Sequence, residues 1–230
     1  VRLGADILEL DVRATADGAI VCLHDATVDR TTDGNGPVAA LTLAELRRLD
    51  AGYRWTQDGG GTFPYRGKGL QVPTLEEVLT RHARSRMVIE MKVRTPDFAQ
   101  SLCRLARDAG MARRVLVASF DEATLDAFRQ SCPEVATSMS QREAQIFWLL
   151  ARLRLAAASS PNAVALQVPE RFGGVEVLTP VLMAAARGRN LRVHAWTLND
   201  EEAMRRLISL GVDGIMTDRP DRLVLLRGRL

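Results

Sequence analysis

MVIEMKVRTPDFAQSLCRLARDAGMARRVLVASF, residues Met87 to Phe120, holds two short apolar runs separated by a helical pattern. MVIEMKV and RVLVASF have the length and composition of strands. DFAQSLCRLARDAG between them carries apolar residues at helical spacing and closes on Gly110. A strand, a crossover helix and a second strand make a βαβ unit, whose two strands run parallel in one sheet.

The same alternation extends outward in both directions. Upstream, ADILELDV (5–12) and AIVCLH (19–24) read as strands and LTLAELRRLD (41–50) as a helix. Residues 51–73 form a glycine-rich, aromatic-bearing insertion suited to a lid or loop over a site, and Thr74 then caps the helix TLEEVLTRHARS. Downstream, the helical segments DEATLDAFRQSC, QREAQIFWLLARLRLAA, TPVLMAAARGRN, DEEAMRRLISLG and DRLVLLRG alternate with VATSMS, AVALQV, RVHAWTL and DGIMTD.

With AIVCLH set aside, seven core strands precede helices, ADILELDV, MVIEMKV, RVLVASF, VATSMS, AVALQV, RVHAWTL and DGIMTD, one short of the eight that close a TIM (β/α)8 barrel. The pattern predicts one α/β TIM-barrel domain over 1–230, with its first βα unit upstream of Val1. A doubly wound open sheet is the competing architecture, but no glycine fingerprint for a dinucleotide or a P-loop stands where that fold needs one.

Composition narrows the function classes. The 230 residues are 47% hydrophobic and 26% charged, an ordinary globular balance. The longest apolar stretch, Ile146–Ala158, is interrupted by Arg152 and Arg154, which excludes a membrane span. It reads as an outer helix buried against the barrel, with lipid docking through the consecutive Phe147, Trp148, Leu149 and Leu150 as the alternative. The net charge is +3 and the pI about 9.1, yet 29 of the 31 cations are arginines scattered among acids. No phosphate-tracking stripe results, so no nucleic-acid partner is expected. Cys22, Cys103 and Cys132 are odd in number and lack a CxxC spacing, so no disulfide framework or zinc site is expected and a reducing, cytoplasmic setting fits. The chain opens on VRLGADILELDV with neither an initiator Met nor a signal peptide, and a preceding segment is expected.

Chemistry in a barrel sits at the carboxyl ends of the strands. In ILELDV the period of two puts Glu9 and Asp11 on one face, toward the interior, and Leu8, Leu10 and Val12 on the other, toward the helices. In MVIEMK the same count pairs Glu90 with Lys92. Three carboxylates on neighbouring strands repel one another unless a cation lies between them, and hard oxygen donors suit one divalent ion, Mg²⁺ or Ca²⁺. The bland reading is a set of solvent-facing acids on an edge strand. Lys92 is one of only two lysines, the other being Lys68 in the insertion; a compact ammonium serves as a point charge for phosphate. His24, closing AIVCLH, is placed to move a proton at the same rim, or else is a loop histidine bonded to Asp25 or Asp29. Trp196 in RVHAWTL is a candidate substrate wall, His194 deeper on the same face a core residue, and His82 an uninvolved surface one.

GADILELDV, DGAIVCLHD, DRTTDG, VPTLEEVL, IEMK, ASF, WTLN and GVDGIMTDRP, in this order from Gly4 to Pro220, resemble the motifs of the glycerophosphodiester phosphodiesterases. The resemblance implies a TIM barrel with a small insertion at Gly52 to Val72. It implies one divalent metal on Glu9, Asp11 and Glu90, His24 as one of two catalytic histidines, and Lys92 near the phosphate. The implied activity is hydrolysis of a small-molecule glycerophosphodiester to glycerol 3-phosphate and an alcohol. Lysophospholipase D-type activity, as in some relatives, is the alternative. The family's His-Arg-Gly and Glu-Asn-Thr motifs are not found in 1–230, so the second histidine is expected upstream. Loss of one acid/base partner costs about 10² to 10⁴ in rate; a chain truly without that motif would be an inactive phosphodiester-binding barrel.

Overall fold

A computed structural model describes residues 2–228. The chain begins with β1 (Ile7–Ala14), turns back through the antiparallel β2 (Ile20–Cys22), and passes a 3-10 turn and the short α1 (Leu43–Leu46) into the irregular insertion. Then follow α2 (Leu75–Arg81), β3 (Arg86–Met91), α3 (Pro96–Asp108), β4 (Val115–Ala118), α4 (Glu122–Ser131), β5 (Ala136–Thr137) and α5 (Gln141–Arg152). The last third holds β6 (Ala165–Pro169), a hairpin of β7 (Arg171–Phe172) and β8 (Val175–Glu176), α6 (Pro180–Arg187), β9 (Arg192–Trp196), α7 (Glu201–Leu210), β10 (Gly214–Ile215) and α8 (Pro220–Arg227).

Seven of these strands pair in parallel, each with the next strand that a helix delivers. β1, β3, β4 and β5 are neighbours in that order, Ser138 bridges to Ala165, and β6, β9 and β10 continue the wall. This is the order of a TIM barrel wall. Among the described residues the first half of β1 and the outer edge of β10 have no strand between them, so the wall opens there; β2 covers β1 only at Val12–Ala14.

Local chemistry starts several helices where the sequence pattern expects it. Thr74 with Glu77 and Ser140 with Glu143 form capping boxes, each side chain satisfying a free backbone N–H of the other's residue. Thr95 and Thr179 cap α3 and α6, with Pro96 and Pro180 in the first turn, where a missing N–H costs nothing. Inside, β1, β3 and β4 bury Val12, Ile89 and Val117 against Leu102, Leu125 and Phe128 of α3 and α4. On the other side Leu166 and Val193 pack against Phe147, Leu182 and Met204. Each such side chain contributes about 1.5–3 kcal/mol of transfer free energy.

The structure corrects three expectations. Cys103 of α3 and Cys132 after α4 form a disulfide, their Cα atoms 5.7 Å apart. The helices of successive βα units lie side by side, a neighbourhood that the 29-residue separation conceals, so the absence of CxxC spacing did not exclude a bridge. The helix over 41–50 shrinks to Leu43–Leu46. The insertion packs on the loop after β2 through a small core of Val21, Val28, Val38, Leu46 and Val72. Arg54 Nε donates to the Thr32 carbonyl and the Asp50 N–H to Asp33, and none of the insertion's described hydrogen bonds reaches the carboxylates of β1 and β3. His82 is half-buried at the end of α2 rather than on the open surface.

Candidate active site

The alternation of β1 places its two faces as expected. Leu8, Leu10 and Val12 join the core, leaving Glu9, Asp11 and also Arg13 on the opposite face. The parallel register then sets Asp11 directly beside Glu90. One oxygen each of Glu9, Asp11 and Glu90 lies within 4.8 Å of the others. Lys92 joins them: its Nζ donates to Glu90 Oε1 at 2.6 Å and lies 3.1 Å from Asp11 Oδ1.

One ammonium among three carboxylates leaves the cluster short of positive charge. Glu9 keeps solvent access, yet the protein packed around it, followed by the charges of Asp11 and Glu90, pushes its carboxyl up to about 7. Burial likewise raises Glu90, against the opposing pull of Lys92. For Lys92 burial disfavours the charged form, but the bond to Glu90 and the field of Asp11 outweigh it and raise its pKa. Hard oxygen donors converging on a point, with like charges crowding Glu9, fit a divalent cation.

His24 stands just past β2, its side chain 61% exposed. Two sets of bonds fix it. Arg13 donates from Nε and Nη2 to the His24 carbonyl at 3.0 and 2.8 Å, a fork that ties the loop to the carboxylate face of β1. Asp25 Oδ1 lies 2.7 Å from His24 Nδ1, and Arg30 in turn grips Asp25. Arg30 first and His24 second hold the Asp25 carboxyl down to about 2. An ionised carboxylate only accepts, so Nδ1 carries the proton and Nε2 is the nitrogen free for proton transfer. The imidazole is close enough to Glu9 and Glu90 that a positive charge on it would oppose, as the weakest of the influences named, the burial that raises both carboxyls.

Trp196, half-buried at the end of β9, meets Phe120 edge to face with ring centroids 5.9 Å apart. Phe120 follows β4 and lies over the Lys92 ammonium, 5.8 Å from Nζ, so the aromatic pair borders the carboxylate cluster. Asn199 ties the loops after β9 and β10 together by donating to Asp218 and accepting from Thr217 and the Asp218 N–H. His194 lies deeper, beside Gln167 at 3.3 Å, with its pKa lowered by burial. A Cβ at position 214 would come 3.0 Å from its ring, which is why glycine stands there. Lys68 is exposed in the insertion.

Asp11, Glu90, Lys92 and Trp196 therefore lie toward the carboxyl ends of barrel strands, with Glu9 one step deeper on β1 and His24 just past the antiparallel β2. Arg13, Arg30 and Phe120 were not anticipated. Arg13 was within reach, since it continues the Glu9–Asp11 alternation by one more step. Arg30 and Phe120 lie in loops where no periodicity speaks for them.

The model of the glycerophosphoryl diester phosphodiesterase family matches residues 1–222. A glycerophosphodiester phosphodiesterase of Caldanaerobacter subterraneus subsp. tengcongensis is 31% identical over 232 residues, covering 98% of this chain and 87% of that protein. The crystal structure of a glycerophosphodiester phosphodiesterase from Agrobacterium tumefaciens superposes with a TM-score of 0.77 at 29% identity, over 99% of this chain and 88% of the other. A phosphodiesterase of Oleispira antarctica, solved in complex with the product sn-glycerol-3-phosphate, shares the fold with a TM-score of 0.74 at 22% identity, over 99% and 87% of the two chains.

Proposed function

The chain belongs to the glycerophosphoryl diester phosphodiesterase family, and from that membership we propose that Glu9, Asp11, Glu90, Lys92 and His24 carry out its reaction. The reaction is hydrolysis of a glycerophosphodiester: the phosphorus–oxygen bond to the alcohol breaks, an oxygen nucleophile replaces it, and the departing alkoxide takes a proton.

Glu9, Asp11 and Glu90 would hold one divalent ion, Mg²⁺ or Ca²⁺, and that ion supplies Lewis-acid stabilisation of the phosphate's charge. Lys92 has three N–H donors, of which Glu90 and Asp11 occupy two. The third is available to a non-bridging phosphate oxygen, where a point charge counters the negative charge that grows in the transition state. His24 Nε2 takes a proton from the nucleophile or delivers one to the leaving oxygen, while Asp25 keeps Nδ1 protonated. Trp196 and Phe120 form the apolar wall against which the substrate's carbon skeleton packs.

The observation that supports this assignment best is the Asp11–Glu90 register pair with Glu9 and Lys92 closing on it. The test is release of glycerol 3-phosphate from glycerophosphocholine by the full-length protein. Activity lost in EDTA and restored by Mg²⁺ or Ca²⁺ is the expected result. Activity indifferent to chelation would refute the metal role.

A further inference from the structure

α5 buries one face and leaves the other bare. Phe147 and Ala151 are inside. Ile146, Leu149 and Leu153, spaced by three and four residues, form a stripe on the outside. Leu155 follows, and Val181 of α6 adjoins across a groove lined by Ala151, Ala156 and Ala184. These five apolar side chains are 43% to 58% exposed. Packing against the barrel thus accounts for Phe147, Ala151 and the half-buried Trp148 but not for Ile146, Leu149 or Leu153.

Toward its carboxyl-terminal end the stripe is bordered mostly by cations, the acids Glu122 and Glu143 lying at the other end of α5 and Asp213 pairing with Arg192. No Asp or Glu occurs in 144–169 or in 177–199, while Arg152, Arg154, Arg187, Arg189 and Arg192 do. Among the described residues no carboxylate lies within salt-bridge distance of Arg152, Arg154 or Arg189; Arg152 instead rests over the Trp148 ring, 4.9 Å from its centroid. Exposed leucines flanked by cations that lack anionic partners match a surface with hydrocarbon just beneath negative headgroups. A second copy of the chain fits poorly, because a twofold contact across this face sets arginine against arginine. The open edges of β1 and β10 lie across the barrel from α5, so a strand paired there would not cover the stripe.

We propose that the outer face of α5, from Ile146 to Leu155 with Val181, docks the protein on an anionic lipid bilayer. α5 runs from the carboxyl end of β5 toward the amino end of β6, which puts Leu153 and Leu155 at the opposite end of the barrel from the carboxylate site. A bilayer bound there leaves the site open to water and to water-soluble diesters. This surface is independent of the catalytic assignment, and its test does not depend on activity.

The experiment is flotation of the full-length protein with vesicles of phosphatidylcholine alone, or with about one part phosphatidylglycerol to two parts phosphatidylcholine. Binding to the anionic vesicles only, reversed by high salt, is expected. Leu149→Ser with Leu153→Ser, and separately Arg152→Gln with Arg154→Gln, should each lower the bound fraction by about tenfold or more. Both pairs are exposed, so thermal melting and hydrolysis of dissolved glycerophosphocholine should be unchanged. Failure to float with anionic vesicles, equal flotation of both variants and the parent, or a solution dimer dispersed by the leucine pair would each overturn the proposal.

Discussion

Divalent-cation binding should tighten as pH rises through the Glu9 pKa. That carboxyl is pushed up to about 7 by the protein packed around it and by Asp11 and Glu90, from an ordinary value of 4.5. A cation requires the ionised form, so proton and metal compete for the same oxygen. With one competing proton the apparent Kd scales as one plus the ratio of proton concentration to acid constant. That factor is about eleven at pH 6, about two at pH 7 and near one at pH 8, or roughly tenfold tighter binding across the interval. About half a proton should leave per ion bound at pH 7. Calorimetric titration with Mg²⁺ or Ca²⁺ in two buffers of different ionisation enthalpy measures both quantities. The raised pKa of Glu90 acts in the same direction. The metal-free protein should show the matching stability trend: the folded state binds more protons than the unfolded between about pH 4.5 and 7, so stability falls as pH rises through that window. Glu9→Gln should lower the proton release, leaving only what Glu90 contributes. A Kd independent of pH with no proton released would refute the reasoning about the cluster.

Lys92→Met removes the one counter-charge within the cluster, so the midpoint of the same calorimetric titration should move above its parent value; an unmoved midpoint would detach Lys92 from the carboxylates. Arg13→Met removes two charge-assisted bonds to the His24 carbonyl and should lower kcat of the full-length protein by about ten- to a hundredfold with KM little changed. Steady-state kinetics with glycerophosphocholine decide it, and an unchanged kcat would show that the loop holds its place without the fork. Replacing Cys103 and Cys132 together by Ala frees a loop spanning a separation of 29 residues, a loss of about 3.6 kcal/mol on the chain-entropy estimate, or about 7 °C in Tm for a chain of this size. Differential scanning calorimetry of the oxidised parent and the double variant measures it; equal Tm values would mean that the bridge does not stabilise the fold.

Strand positions and faces were legible because they rest on short-range periodicity. ILELDV and MVIEMK each display a carboxylate face by simple alternation, and the helices between strands announce themselves through Thr74, Thr95, Ser140 and Thr179 caps. What alternation does not carry is register: that Asp11 sits beside Glu90 follows from how β1 and β3 pair. The Cys103–Cys132 bridge escaped for a related reason, since it depends on adjacent helices rather than on spacing. His24 illustrates a further limit. Both anticipated roles coexist in it, for the bond to Asp25 that marks an ordinary loop histidine is also what leaves Nε2 free for chemistry. On α5, periodicity identified an apolar helix but not which apolar residues face inward, and Phe147 and Leu149 went opposite ways.

The most direct test of the site is His24→Ala in the full-length protein, with glycerol 3-phosphate release followed by phosphorus NMR and metal affinity by calorimetry. A fall in kcat of about 10² to 10⁴ with metal affinity nearly unchanged is expected, because the imidazole moves a proton and the carboxylates hold the ion. Undiminished turnover after that substitution would contradict the placement of the hydrolytic site at Glu9, Asp11, Glu90, Lys92 and His24.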